Sequence, residues 1–529
     1  MTDKNHQNLL GFFFGSRWLV LLGLSLVCLL AYANSFQNNF MLDDNLVIFG
    51  QRGVINKSFL EIFTTNQVGY YRPVGLIPLW FVSHMLGNSY IAYHLVSFFL
   101  FVLMVFFIFL IVRKLTLDPA LSFFSAVLCA IHPINGMIVN YITASALAVY
   151  VLSMQVSFLL FMYFSENGRM RDYVLSLTFF VFACLSHEMA IMLPVYLATY
   201  LFFIRKGSWG KIFKLTFPFI LILFGWAKLR SLTSFYPQQF VTALFVSKNM
   251  AASFSTWMDL VIWYVSNLIY PGKIIFLWSS QYEQEHILRN LILFVMASGF
   301  GIFFCFKWKR TWKSFLLILF ALGFAPTVLS CFQSFPKVRP IIEPHWLYFT
   351  EFSYFVLLAW VLRSVVRKNF IVGAALSASV IFLLLVYCWT YNMEWKNQEK
   401  YSLYWLSLNK GNLTPYYGLG HSLMEKGDYL GAATSFGEGY GLLDYGTPQM
   451  AADWGHCLDM LGYGKMSLYW LKQAVQKDKE YALTYHYVGL YYKKRGNLLE
   501  AQRAFKLAVK LDPRFSPSRA FLKIENSAP

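Results

Sequence analysis

Residues 17–45 read RWLVLLGLSLVCLLAYANSFQNNFMLDDN. The part up to Phe36 is almost uncharged and long enough to cross the hydrocarbon core, which takes about 20 apolar residues. It lacks a small-residue cleavage site, so we predict a retained signal anchor. Asp43 and Asp44 follow directly, and a carboxylate pair is costly near lipid, so the pair indicates a functional site. The alternative is that both aspartates only mark where the chain leaves the bilayer.

The composition is that of a polytopic membrane protein. Of 529 residues, 57% are hydrophobic and only 13% are charged, against about 25% in soluble domains. The net charge of +18 does not indicate nucleic-acid binding, because the basic residues stand in short clusters between apolar runs, as in cytoplasmic loops. The seven cysteines form no CxxC pair, so neither a disulfide framework nor a zinc site is predicted.

Apolar runs separated by basic clusters predict eleven spans with a cytoplasmic N-terminus. The predicted spans are 18–36, 93–113, 119–134, 140–163, 172–188, 190–204, 213–229, 289–306, 313–331, 346–363 and 370–390. The basic clusters lie at 113–114, 169–171, 205–211, 307–313 and 363–368, which places them on the cytoplasmic side. Residues 37–91 and about 230–288 then form external loops, and the apolar stretch 257–270 is interpreted as an interfacial or re-entrant helix. The C-terminus is predicted outside.

This orientation collects unusual polar residues at the external ends of several helices. They are Asp43, Asp44, Tyr71, Arg72, His132, Glu188, Arg339, Glu343 and His345. Carboxylates can act as general bases and arginines can hold phosphate oxygens. Each has a structural alternative: a His-Pro pair usually ends a helix, and Tyr-Arg-Pro can anchor at the interface. The set is more informative than any member.

The chain after residue 391 is more polar and repetitive. Glycines recur at positions 420, 455 and 489, and again seven residues later at 427, 462 and 496. This period of about 34 residues predicts tetratricopeptide repeats, at about 413–447, 448–481 and 482–515. Such an array offers a concave surface for a peptide or protein.

Together these features resemble the transmembrane and tetratricopeptide-repeat-containing O-mannosyltransferases, including bacterial-type relatives, within the GT-C class of glycosyltransferases. The segments that carry the resemblance are MLDDN, YYRPVG, AIHPINGMIVNYI and the repeats. The chain departs from the family where Glu343 begins EPHWLY in place of Glu-Arg-Tyr-Leu-Tyr, and where His187-Glu188 replaces Lys-Glu.

The resemblance implies a fold, a donor and residue roles. The expected fold is all-α: a GT-C-like bundle over 1–391 with about eleven spans, a connecting helix over 392–412 and an extracytoplasmic repeat solenoid over 413–529. The expected reaction moves a sugar, which is mannose in this family, from a polyprenyl-phosphate donor to a hydroxyl of a protein. Asp43 or Asp44 would be the base, and one of them would bind a divalent metal if any takes part. The polyprenyl-phosphate sugar enters as the donor substrate. Arg72, Arg339 and His345 would hold the donor phosphate. Tyr71, His132, Glu188 and Glu343 would shape the pocket or contact the acceptor.

Two other interpretations stay open. The first is a GT-C transferase that acts on a glycan or lipid acceptor, against which the repeats argue. The second is a membrane-anchored repeat scaffold without catalysis, although an anchor needs one span rather than eleven. The expected location is a bacterial inner membrane with the repeats in the periplasm, or otherwise the endoplasmic reticulum membrane with the repeats in the lumen. The expected partners are the lipid-linked sugar, an acceptor protein bound by the repeats, and the bilayer, but no nucleic acid.

Overall fold

The structure is a computed structural model that describes residues 14–50, 53–65, 71–233, 249–280, 286–332, 340–442, 447–513 and 516–526. The chain divides into two compact units. The first comprises the described residues within 1–40, 57–335 and 339–396, and the second comprises those within 41–56 and 397–529. The segment with Asp43 and Asp44 therefore belongs to the same unit as the C-terminal helices. The division predicted from the sequence kept this segment with the membrane half.

The described part of the first unit is built almost entirely from helices. Its α-helices are α1 (Arg17–Tyr32), α2 (Glu61–Thr64), α3 (Ile77–Phe81), α4 (Tyr90–Thr116), α5 (Pro119–Ile131), α6 (Met137–Asn140), α7 (Ser145–Asn167), α8 (Met170–Cys184), α9 (Leu193–Phe203), α10 (Trp209–Thr233), α11 (Met250–Ile269), α12 (Ile287–Trp308), α13 (Trp312–Leu322), α14 (Ala325–Phe332), α15 (Phe352–Lys368) and α16 (Phe370–Glu394). Two short strands, β1 (Trp278–Ser279) and β2 (Ile341–Ile342), pair antiparallel, with Trp278 opposite Ile342.

Among the described residues, seven helices are long and apolar enough to cross a membrane, or eight if one bent pair counts as a single span. That pair is Pro119–Ile131 with Pro133–Asn140, which bends by 60° at the predicted His-Pro helix end. This confirms a polytopic helical membrane protein. The number of eleven spans stays a prediction, since several of the predicted spans fall on helices of 11–17 residues.

A chain of asparagine amides ties three segments of the first unit together. Asn38 donates to Asn140 (3.0 Å), Asn140 donates to Asn392 (2.7 Å), and Asn392 donates to Asn34 (2.9 Å). Hydrogen bonds between side chains of different helices are a common means of holding membrane helices together. Here they join the residues that follow α1 to α6 and to the end of α16.

The basic clusters predicted to share a side are linked by contacts. Lys114 pairs with Glu166, Arg205 donates to the Ser165 carbonyl (2.8 Å), and the Arg310 guanidinium lies 4.0 Å from the centroid of the Phe202 ring. Arg363 also pairs with Asp118 and Lys313 lies over Trp360. These clusters therefore gather at one end of the bundle. Its assignment to the cytoplasm stays a prediction.

The C-terminal helices of the second unit pack as successive pairs. They are α17 (Gln398–Leu408), α18 (Thr414–Glu425), α19 (Tyr429–Gly441), α20 (Pro448–Met460), α21 (Gly464–Lys477), α22 (Ala482–Lys494), α23 (Leu498–Leu511) and α24 (Ser516–Asn526). A Cβ at Gly420 would lie 2.5 Å from the Phe436 ring, and one at Gly489 would lie 2.4 Å from the Phe505 ring. The glycines thus let paired helices approach closely, at the positions where the repeat period places them. The tetratricopeptide assignment itself stays a prediction.

Candidate active site

Two arginines hold one carboxylate between them in the first unit. Arg72 donates from Nε (2.9 Å) and Nη2 (2.5 Å) to Oε2 of Glu188. Arg230 Nη1 lies 2.8 Å from the other oxygen, Oε1. The three side chains are 28%, 16% and 19% exposed, in the order Arg72, Glu188 and Arg230. This Arg72–Glu188–Arg230 bridge carries one positive charge in excess.

Local backbone contacts place the members of the bridge. The Val74 N–H donates to the carbonyl of Leu185 (3.1 Å), which joins the segment after Arg72 to the end of α8. Gly75 lies against this segment, where an added Cβ would stand 3.1 Å from the Ser186 carbonyl oxygen. Glu188 begins a 3₁₀ turn capped by the preceding residue, because Met189 N–H donates to His187 Nδ1 (3.2 Å). Arg230 lies in the last turn of α10.

Two buried histidines adjoin the bridge. His187 Nδ1 lies 3.8 Å from Glu188 Oε2, and its ring contacts that of His345 edge to face, with 4.9 Å between centroids. Tyr150 stacks on His187 and donates to the His345 carbonyl. His345 Nδ1 lies 3.1 Å from Glu343 Oε2. Burial, followed by the neighbouring His187 and Arg72, lowers the pKa of His345 well below its usual range, so at neutral pH its ring can offer hydrogen bonds but no positive charge.

The structure brings four of the predicted site residues together: Arg72, Glu188, Glu343 and His345. Arg339 lies outside the described residues. Tyr71 is buried and donates to the Phe63 carbonyl (2.9 Å).

His132 is buried, with one ring nitrogen 3.2 Å from the Leu268 carbonyl oxygen and the other accepting from the Ile134 N–H (3.2 Å). It caps the turn at the bend of the chain. This is the helix-end role that a His-Pro pair usually has.

The two aspartates differ in their surroundings. Asp44 is fully buried, and its Oδ2 accepts a hydrogen bond from the Met41 N–H (3.0 Å). Asp43 is exposed, and its carbonyl accepts from the Val47 N–H (2.8 Å). The carboxylate of Asp44 therefore also shapes the turn in which both residues stand.

Sequence reasoning missed Arg230 and Glu351. Arg230 stands at the predicted external end of a span, where basic residues are less frequent than at cytoplasmic ends; that departure was the available signal. Glu351 is buried and accepts from the Tyr264 hydroxyl (2.6 Å). It was overlooked because it lies inside a predicted span, although an acid there is itself a reason to suspect function.

Within the described part of the chain, no group of three His, Cys, Asp or Glu side chains is arranged to hold a metal ion. A metal at Asp43 or Asp44 stays a prediction from the resemblance. At the candidate active site, the cationic groups that the structure brings together are the guanidinium groups of Arg72 and Arg230.

Residues 72–228 match the model of the dolichyl-phosphate-mannose-protein mannosyltransferase family. This segment is thus similar to a family of GT-C membrane mannosyltransferases. The match begins at Arg72 and ends two residues before Arg230, so it contains the Arg72–Glu188 pair and reaches almost to the third member of the bridge. No curated protein shows significant sequence similarity to the chain.

Proposed function

We propose that the protein is a membrane glycosyltransferase that moves a sugar, in the first instance mannose, from a polyprenyl-phosphate donor to a hydroxyl group of a protein. The observation that carries the proposal is the Arg72–Glu188–Arg230 bridge inside and beside the segment that matches the mannosyltransferase family. The match supports the reaction class, and the bridge supplies what that reaction needs, namely positive charge for a leaving phosphate.

The reaction exchanges one bond at the anomeric carbon for another. The acceptor oxygen forms a bond to this carbon, the bond between the carbon and the phosphate oxygen breaks, and its electron pair leaves with the polyprenyl phosphate. The hydroxyl proton goes to a carboxylate, the role that the resemblance assigns to Asp43 or Asp44. Such a displacement inverts the configuration of the anomeric carbon.

The arginines stabilise the departing phosphate. Charge-assisted hydrogen bonds from guanidinium groups to phosphate are about twice as strong as neutral ones and can be bidentate. In the bridge, Glu188 fixes both guanidiniums from opposite oxygens, so little reorganisation is needed when charge develops on the leaving group. His345, being neutral, contributes a hydrogen bond and orientation rather than charge. Arg339 and Glu343 keep the roles in phosphate binding and pocket shape that the resemblance gives them.

The helix pairs of the second unit would bind the acceptor polypeptide and raise its local concentration, which increases the rate of transfer without altering the chemistry. A glycan or lipid acceptor is the alternative within the same class. We propose that the bridge and the repeats face the extracytoplasmic side, in the periplasm of a bacterium or otherwise in the lumen of the endoplasmic reticulum.

The decisive experiment measures transfer of labelled mannose from polyprenyl-phosphate mannose by the full-length protein in membranes. Asp43→Asn and Asp44→Asn keep the size of the side chain, and the amide oxygen at position 44 can still accept from the Met41 N–H. We expect one or both variants to lose at least 100-fold in transfer, within the usual range for a general base. Asp478→Asn is the matched control, because its side chain caps a backbone N–H at Glu480 (2.8 Å), a contact that the amide retains. Wild-type rates in both Asp43→Asn and Asp44→Asn would exclude these carboxylates from catalysis. Absence of transfer by the wild-type protein itself would favour the scaffold interpretation.

A further inference from the structure

A small basic cavity lies at the other end of the bundle, among the linked basic clusters. Its volume is about 230 Å³. The residues that matter for its chemistry are Asp118, Trp312, Lys313, Trp360, Arg363 and Arg367. Helix α15 has 17 residues and is therefore about 25 Å long. It begins just after His345 and carries Arg363 and Arg367 near its opposite end, so the cavity is separate from the candidate active site.

The cavity has more positive than negative charge. Among the described residues of its lining, Asp118 is the only acid. This carboxylate already has two roles, because it pairs with Arg363 and caps α5 by accepting from the Leu121 N–H (3.0 Å). Lys313 and Arg367 remain as two positive charges. In the part of the chain that the structure describes, neither of them forms an ion pair.

Aromatic rings and a helix end complete the cavity. The Lys313 ammonium lies 4.0 Å from the centroid of the Trp360 ring, and Trp312 packs edge to face on the same ring. Helix α13 begins at Trp312 with no side-chain cap at Thr311, so its positive end adds to the charge at this wall. Tryptophans are enriched at the membrane–water interface, and basic cavities between helices on the cytoplasmic side are suited to anionic headgroups.

We propose that this cavity binds a phosphate group, with Lys313 and Arg367 as its ligands and Arg363 held in place by Asp118. The ligand is the phosphodiester of an anionic phospholipid headgroup or a free phosphate, which share the same recognition chemistry. The volume is below the roughly 300–1,000 Å³ of sites for drug-sized ligands, which fits a phosphate with a small headgroup. This inference does not rest on the proposed glycosyltransferase function.

The test compares ligand-dependent thermal stabilisation of the full-length protein in neutral detergent. The probes are dihexanoyl phosphatidylglycerol, dihexanoyl phosphatidylcholine and inorganic phosphate, each titrated at constant ionic strength. The cavity variant is Lys313→Gln with Arg367→Gln. The matched control is Lys309→Gln with Lys368→Gln, which removes the same charge from exposed residues next to the cavity. Arg367→Gln alone is the second variant, because it leaves no described carboxylate unpaired and is expected to fold.

We expect saturable stabilisation of the wild type and of the control by phosphatidylglycerol, with an apparent affinity at least tenfold weaker in the cavity variant and in Arg367→Gln. Stronger binding of phosphatidylglycerol than of inorganic phosphate would identify the phospholipid headgroup as the ligand. Equal affinity for inorganic phosphate, lost in the same variants, would identify free phosphate. Stabilisation that is absent, or that falls equally in cavity and control variants, would overturn the proposal.

Discussion

Replacing Glu188 by Gln tests whether the Arg72–Glu188–Arg230 bridge is a single unit. The change keeps the shape of the side chain but removes the only negative charge of the bridge. Breaking a fully buried ion pair by removing one partner costs about 3–5 kcal/mol. The partners here are 28% and 19% exposed, so water relieves part of this cost and we expect a loss of roughly 2–3 kcal/mol.

The measurement is thermal unfolding of the detergent-solubilised full-length protein, followed by tryptophan fluorescence. One kcal/mol shifts Tm by about 2–4 °C in a protein of 150–250 residues and by less in a larger chain, so a loss of a few degrees is expected. The control is Glu166→Gln, whose pair with Lys114 is more exposed at 38% and 20% and should contribute no more than about 1 kcal/mol.

The double variant Arg72→Gln with Glu188→Gln tests whether the two residues are energetically coupled. If the bridge couples the two residues, the double variant should be at least 1 kcal/mol more stable than the sum of the single losses predicts. Additivity within about 0.5 kcal/mol, the behaviour of independent sites, would show that the two residues act separately. The charge argument for phosphate binding would then lose its basis.

Three further predictions concern the second unit. Gly489→Ala should lower the stability of this unit by about 1–3 kcal/mol, since the new Cβ would lie 2.4 Å from the Phe505 ring. Gly441→Ala should not lower it, because that position has open space around it; thermal unfolding compares the two variants. Burial, followed by a neighbouring histidine, lowers the pKa of His486 to about 4. The neutral ring therefore contributes fully to the free energy of unfolding above pH 6.5, and this contribution falls as the pH approaches 4, by roughly 2 kcal/mol at pH 5. His486→Gln should flatten this pH dependence in unfolding experiments between pH 5 and pH 7.5. Asp453→Leu should lower the stability of this unit by about 1–3 kcal/mol, because two tyrosine hydroxyls lose their acceptor. Asp453→Asn should lower it less, and the difference in Tm between the two variants is the measurement.

The sequence predicts the fold best where the conformation depends on residues that are close together along the chain. Long apolar runs such as Tyr90–Thr116 must be helical in lipid, because only a helix satisfies every backbone group within one segment. The glycines at 420 and 489 likewise predicted close helix pairs, since only a missing Cβ admits the facing rings. These patterns depend on neighbours along the chain and need no knowledge of distant contacts.

The candidate site depends on contacts that spacing cannot supply. Arg72 meets Glu188 across 116 residues, and nothing in either motif indicates that Arg230 completes the pair. The sequence also joined Asp44 to the membrane half through its position after the first span, whereas the structure places it in the unit of the C-terminal helices. Proximity in sequence predicts which side of the membrane a loop occupies, but not which packed unit it joins.

The energetics of the bridge argue for a role beyond stability. Replacing a buried ion pair with apolar residues of similar size is often neutral or stabilising by about 1–4 kcal/mol, and the surrounding bundle is rich in such residues. A structural pair would also need one arginine, yet Glu188 is held by two. The second guanidinium adds desolvation cost, and it gives the bridge two positive charges for its one carboxylate. If the donor phosphate binds beside Arg72 and Arg230, as we propose, this positive charge would favour its binding and offset the desolvation cost that is present in the free protein. Arg230→Gln should therefore weaken donor binding at least tenfold. It should leave Tm nearly unchanged, since Glu188 keeps its two hydrogen bonds to Arg72. A large fall in Tm with unaltered donor binding would instead make Arg230 a structural residue.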